Sequence, residues 1–147
     1  MKIYKIGLIG CGRIGSLLEK DKLRGKPCTH AGGFNALSNT RIVAGCDIDP
    51  SRLKNFGVDW GVDRLYDDYK EMLHQENLDV ACIATWTHLH TSMVMDAARL
   101  GVKAIFCEKP IALNPHDGHQ MVRFCQKKNV SLIINHERRW DSYYQKA

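Results

Sequence analysis

No stretch of this 147-residue chain approaches 18 consecutive apolar residues, so no membrane-spanning helix is expected. The opening "MKIYKIGLIG" has too short an apolar run for a secretory signal and lacks a small-residue cleavage site. It reads instead as a first strand, and the expected compartment is the cytoplasm. Six cysteines are present, yet no two stand in C-x-x-C spacing, and Cys11, Cys46, Cys82 and Cys107 fall in or just after apolar runs. That pattern disfavours a zinc site or a disulfide framework and favours reduced thiols buried as small hydrophobes. Repeats, low-complexity segments and internal linkers are missing too, which suits one domain of ordinary size. The formal net charge is +5, but basic residues are scattered, and even "EKDKLRGK" (19–26) carries two acids. A nucleic-acid binder would set them in one stripe with interleaved aromatics, so only a mild attraction for anionic ligands is inferred.

What is present alternates. Runs apolar on both parities, "KIGLIG" (5–10), "RIVAGC" (41–46), "LDVACIA" (78–84), "KAIFC" (103–107) and "VSLII" (130–134), read as strands covered on both faces. Helix signals lie between them. Asp49 with Pro50 starts a helix that Gly57 is expected to stop. Asp68 and Glu71 form a capping box for the next. Leu89, Met93 and Ala97 line a helix ending at Gly101, and Asn114 with Pro115 starts another that buries Met121, Phe124 and Cys125. The order predicts an α/β domain with a doubly wound, mainly parallel sheet of about six strands, helices on both faces. Residues 19–33 read as a surface excursion between two helical pieces.

Two features carry chemistry. Gly10, Gly12 and Gly15 stand in G-x-G-x-x-G spacing after the first strand, where a helix is expected to open. Such spacing permits a tight turn, close backbone approach to a pyrophosphate and tight helix–strand packing, with free N–H groups for the phosphates. Asp47 ends the second strand, where a carboxylate accepts the ribose hydroxyls of an adenosine. It would also repel a 2′-phosphate, so NAD is favoured over NADP, with Arg52 placed to soften that preference. The alternative is that Asp47 merely ends its strand.

The second feature is "AIFCEKPIAL" (104–113). Pro110 cannot extend the sheet and disfavours helix at Lys109, so an amine is expected just past a strand end, with Glu108 on the opposite face. A lysine there can stabilise charge on a reacting oxygen or carry a proton; both roles stay open. His90 stands after a strand, where ligands of open α/β sheets bind, or serves only as a first-turn helix residue. His116 and His119 lack a third ligand and are expected to be exposed. His30 reads as a helix-start residue.

With these pieces in place, "GLIGCGRIG", "CDIDP", "YDDYKEML", "LDVACIATWTHLH", "GVKAIFCEKPIAL" and "NHERRWD" together resemble the Gfo/Idh/MocA family of NAD(P)-dependent oxidoreductases. The resemblance covers the family's N-terminal half. It implies a Rossmann domain over residues 1–135, with 136–147 leading toward a substrate domain that has no counterpart here. It also implies hydride transfer between NAD and a hydroxyl of a sugar, cyclitol or sugar nucleotide. A non-catalytic dinucleotide-sensing module acting through a partner is the alternative. By resemblance Lys109 is the catalytic lysine and Glu108 its neighbour near the cofactor. Thr85, Trp86, Thr87 and His90 form the loop bordering the nicotinamide ribose, with Trp86 where proline is usual. Arg138 and Arg139 match a family pair, with Glu137 where asparagine is common. The full set of expected cofactor contacts is Gly10, Gly12, Arg13, Ile14, Gly15, Asp47, Ile48, Arg52, Thr85, Trp86, Thr87, His90, Glu108, Lys109 and Arg139, with no metal. Trp140, Tyr143 and Tyr144 read as a surface meant to be covered, by lost sequence or by partner chains, a homo-oligomer among them.

Overall fold

Strands apolar on both parities need cover on both faces, and the chain provides it for the inner strands, whereas the last strand, at the sheet edge, leaves Ile133 exposed. The computed structural model describes residues 2–139 and 142–146. Its elements are β1 (Tyr4–Ile9), α1 (His30–Asn35), β2 (Thr40–Cys46), α2 (Pro50–Trp60), β3 (Arg64–Tyr66), α3 (Tyr69–Gln75), β4 (Val80–Ile83), α4 (Thr87–Arg99), β5 (Ala104–Glu108), α5 (Pro115–Lys127), β6 (Ser131–Asn135) and α6 (Ser142–Gln145). The strands form one sheet in the order β3-β2-β1-β4-β5-β6, with every neighbouring pair parallel. Alternate strand residues feed two cores. Ile9, Ala81, Ile83, Ile105 and Cys107 pack with Met72, Met93, Val94, Met121 and Cys125 from α3, α4 and α5. Ile6, Leu8 and Cys82 pack with Ala31 and Phe56 from α1 and α2. This is a doubly wound sheet with helices on both faces.

The caps work largely as the sequence indicates. Asp49 accepts from Ser51 and Arg52 N–H with Pro50 in the first turn, and Asn114 accepts from Asp117. Two expectations are corrected. Helix α2 does not stop at Gly57 but runs to Trp60, ending at Gly61 in the left-handed conformation (φ 64°). Gly57 is a close-packing position: a Cβ there would stand 2.8 Å from the Leu65 side chain. Asp68 caps α3 through Lys70 N–H, but Glu71 turns away to accept from Gln75 (2.7 Å), so the box is half formed. The short edge strand β3 has only three residues, too few to show a periodicity.

The larger correction concerns the first helix. No α-helix opens at the glycine turn; a short 3-10 segment, Leu17–Lys20, follows it, and α1 begins only at His30. The backbone ladder explains the split. Ser16 N–H donates to Gly12 O, as in a starting helix, but Ile14 O then accepts from His30 N–H (3.0 Å) and Gly15 O from Ala31 N–H (2.9 Å). In a continuous helix those donors would be residues 18 and 19. Helix α1 therefore continues the turn's ladder across space, and residues 18–29 are looped out of it. Glu19 closes the loop by accepting from Cys28 N–H (3.0 Å) and the Thr29 hydroxyl (2.7 Å), and Thr29 caps α1 through Gly32 N–H. The loop base is tied to α2 by Trp60 Nε1–H donating to Ser16 Oγ (2.8 Å) and by the Lys20–Asp59 ion pair.

All six cysteines are free, and five are buried. Burial pushes the Cys11 thiol well up and those of Cys46 and Cys107 to about 12, so they stay protonated as packing groups. Among the described residues no helix is long and apolar enough to cross a membrane, and no group of three or more His, Cys, Asp or Glu could hold a metal. Trp140 and the Tyr143 side chain lie outside the described part; Tyr144 is exposed, with the Arg138 guanidinium 5.2 Å from its ring centroid.

Deleting residues 18–29 joins Leu17 to His30 and makes the ladder continuous. The shortened chain is expected to keep a cooperative thermal transition within about 5 °C of the parent, equivalent to roughly 1–2 kcal/mol. A calorimetric scan checks this, and loss of the transition would refute the spliced-helix reading.

Candidate functional site

Because all six strands run parallel, their carboxyl ends share one edge, and the order reverses between β1 and β4. Open α/β sheets bind ligands in the crevice at that switch point. Gly10 leaves β1 there with φ 95°, and a Cβ on it would stand 2.6 Å from Ala84 O after β4. A Cβ on Gly15 would come within 2.0 Å of Gly10 O. These two glycines close the turn. At Gly12 the added Cβ would meet only Arg52 Nη1, at 3.5 Å, so one side of the turn stays open to a ligand. Among the described residues nothing accepts from the N–H groups of Gly12, Arg13, Ile14 and Gly15. Four free donors around an open glycine fit a pyrophosphate. Behind this turn stands a short 3-10 segment, Leu17–Lys20, rather than a long helix.

Asp47 is buried beside this turn. Its Oδ2 accepts from Cys11 N–H (2.9 Å) and its Oδ1 from Asp49 N–H (2.9 Å). Each oxygen keeps a further acceptor site for a ribose hydroxyl. The Asp47 carboxylate is thus also the strut joining the glycine turn to the tip of β2. Half-exposed Arg52 lies between Asp47 (3.8 Å) and Asp49 (3.0 Å), with Nη1 against Gly12. Hydrogen bonds from Ser51 and Arg52 hold the Asp49 carboxyl well below its usual range. Ile48, 87% exposed, stands at the β2 tip. Thr85 approaches Gly10, its Cγ2 3.1 Å from the added Cβ, and donates its hydroxyl to Met93 Sδ (3.4 Å). Trp86, 78% exposed, precedes Thr87 at the start of α4 without capping it.

Past β5 the sheet ladder stops with the pair Glu108↔Asn135. Lys109 is exposed, Glu108 is 5% exposed, and the Lys109–Pro110 peptide is cis. Glu108 faces inward, where His30 Nε2 (2.8 Å) and Asn135 Nδ2 (2.7 Å) both donate to its Oε1. Burial alone would raise this carboxyl, but those bonds and the nearby charge hold it below the ordinary value. Burial likewise favours the neutral His30 ring; the Cys82 sulfur and Glu108 outweigh it and raise the ring to about 10. Both shifts favour the charged form of this buried pair.

His90 is fully buried. Its Nδ1 lies 2.9 Å from Pro110 O and its Nε2 3.1 Å from Thr85 O, so it joins two walls of the crevice from behind. Arg139 follows β6 on the same edge, in the 3-10 turn Glu137–Arg139. His116 and His119 are exposed; with Arg123 and Lys127 they line a groove of about 400 Å³ that includes none of the residues above. The pairing of His30 with Glu108 had no signal in the sequence, since 78 positions separate them. The pairing of Glu108 with Asn135 had one, the matched ends of β5 and β6.

Comparison with known proteins agrees with this geometry. A family model described as an oxidoreductase family with an NAD-binding Rossmann fold matches residues 4–136. D-apiose dehydrogenase of Paraburkholderia graminis is 37% identical over 99% of this chain and 35% of its own length. Myo-inositol 2-dehydrogenase of Thermotoga maritima is 30% identical over 97% of this chain and 39% of its own. The WlbA dehydrogenase of Bordetella pertussis, solved with NADH and UDP-GlcNAcA, superposes with a TM-score of 0.83 at 28% identity, covering 98% of this chain and 38% of that one. The chain thus spans little more than a third of the length of these relatives.

The His30–Glu108 pair has a pH signature. With His30 raised, the charged ring stabilises the fold fully below its unfolded value of about 6.5 and loses that contribution as pH climbs toward about 10. With Glu108 lowered, its contribution is present above about 4.3 and is lost on acidification. The thermal midpoint of a His30→Gln variant is expected to lie furthest below wild type near pH 5–6.5, with the gap narrowing toward pH 10. A gap that does not change with pH would remove the ion pair.

Proposed function

Because the chain belongs to the Gfo/Idh/MocA oxidoreductase family, we propose that it is the dinucleotide-binding part of a dehydrogenase acting on a hydroxyl of a sugar, cyclitol or sugar nucleotide. The observation that carries this reading is the convergence at one sheet edge of the open turn at Gly12, the Asp47 strut and the exposed Lys109. The relatives' names, apiose and inositol dehydrogenases and an enzyme solved with UDP-GlcNAcA, support the substrate class.

In this proposal the N–H groups of Gly12, Arg13, Ile14 and Gly15 receive the pyrophosphate. Asp47 orients the adenosine ribose with its remaining acceptor sites, Ile48 and Arg52 flank that ribose, and Thr85, Trp86 and Thr87 border the nicotinamide side. His90 and Glu108 shape the walls from behind, and Arg139, in the 3-10 turn after β6, is proposed to contribute to the cofactor side. The bound nicotinamide supplies the hydride acceptor. Lys109 supplies the complementary chemistry: its amine stabilises the charge that develops on a hydroxyl losing its proton, or takes up that proton. Residues that close the substrate pocket are proposed to lie in a second domain, so that the active enzyme is the whole protein.

NAD is the proposed cofactor, because a second negative charge near Asp47 is unfavourable by up to about 4 kcal/mol at 4 Å. Arg52 beside Gly12 offsets part of that, so NADP is expected to bind more weakly rather than not at all. Titration followed by energy transfer from tryptophan to NADH is expected to saturate, with NADPH weaker by about tenfold or more. Asp47→Ala is expected to narrow that ratio and Gly12→Val to abolish binding. No saturable signal at millimolar cofactor would refute the reading. In the complete enzyme, Lys109→Ala is expected to leave cofactor affinity within a few-fold and to cut turnover by about 100-fold or more; unchanged turnover would make the lysine merely structural.

A further inference from the structure

Lys109 stands beyond the last paired residue of β5, so no sheet hydrogen bond fixes the segment that carries it. Its backbone is instead held by side chains on both flanks. On one side Glu108 Oε2 accepts the Lys109 N–H (3.2 Å), while Glu108 Oε1 accepts from His30 and Asn135. On the other side the Pro110 carbonyl lies against the buried His90 ring. Among these partners, His30 alone also reaches the glycine turn. Its N–H donates to Ile14 O and the next N–H, of Ala31, to Gly15 O. Its ring is lodged edge-on to Phe106, centroids 5.3 Å apart, which fixes its direction toward Glu108. A continuous run of hydrogen bonds thus leads from the carbonyls of the open turn, through His30 and Glu108, to the backbone of Lys109.

We propose that His30 is a positioning residue for Lys109, tying the dinucleotide-binding turn to the lysine-bearing segment through Glu108. The proposal rests on the functional reading of the turn and of Lys109 given above. It accounts for a feature the cofactor contacts alone leave unexplained, a charged pair buried where an apolar pair would pack at less desolvation cost. It also explains why the looped-out residues 18–29 return to the helix ladder at His30: the excursion is accommodated without moving that ring from its place over Glu108.

The test is amide hydrogen exchange at Lys109 in this chain, with and without NADH, in the wild type, His30→Gln and His30→Leu. Glutamine keeps a donor close to the position of Nε2; leucine does not. In the ligand-free chain, His30→Leu is expected to speed exchange at Lys109 by at least about tenfold while the β1 amides of Ile6 and Leu8 keep theirs, and His30→Gln to recover most of the loss. Equal exchange at Lys109 in all three proteins would overturn the proposal. So would a uniform loss across the sheet, or a glutamine variant no better than leucine. Should His30→Leu not fold, the wild type and His30→Gln decide it. NADH is expected to slow exchange at Lys109 along with residues 12–16 in both, and slowing confined to the turn would overturn the coupling. Failure of NADH to bind would sink the dinucleotide reading alone, because the ligand-free comparison does not depend on it.

Discussion

Contact between two stretches of backbone sets the geometry on which the rest depends. The carbonyl of Gly10 sits where a Cβ on Gly15 would be, and Gly10 itself is pressed against the Ala84 carbonyl at the tip of β4. Any side chain at either position would push the turn off the sheet. With both absent, the turn closes against the β1–β4 switch point, and among the described residues nothing accepts from the N–H groups of residues 12–15. Asp47 then locks the turn to β2 through Cys11 N–H, and Arg52 follows Asp47 and Asp49 into place. The same closure presents the Ile14 and Gly15 carbonyls to His30 and Ala31, which is how a helix interrupted by a long excursion is rejoined.

From that turn the site spreads along the sheet edge by side-chain links rather than by ladder bonds. Thr85 touches the turn, and His90 bridges the Thr85 and Pro110 carbonyls. His30 bridges the turn and Glu108, and Lys109 lies between Glu108 and Pro110. Two buried histidines on different helices therefore frame one exposed amine. The sheet supplies direction, because parallel strands bring every relevant tip to one edge. The histidines supply the fixity that a segment past the end of a strand lacks.

Much of this was legible in the sequence, for reasons that particular residues make clear. The apolar runs of β1, β2, β4 and β5 were legible because these inner strands are covered on both faces, while β6 at the edge leaves Ile133 exposed. Asp49, Asn114 and Gly101 mark helix ends with local chemistry that needs no tertiary information. The glycine turn and the acid at the tip of β2 could be placed because glycine spacing after a strand and an acid at a strand end are local signals. What stayed hidden was non-local. Gly57 looked like a stop, but it is a contact point with Leu65. The three residues of β3 carry no period. The first helix was misplaced because its ladder jumps from Ile14 to His30, and no local signal records such a jump. His30 and Glu108 meet only in the folded sheet, and the complete burial of His90 depends on the Pro110 turn.

The most direct measurement is a crystal structure of this chain grown with NAD. The account predicts the pyrophosphate on the N–H groups of residues 12–15, the adenosine ribose against Asp47 and the nicotinamide on the side of Thr85 and Lys109. A dinucleotide seated elsewhere, such as the basic groove lined by His116, His119 and Arg123, with the glycine turn empty, would contradict it.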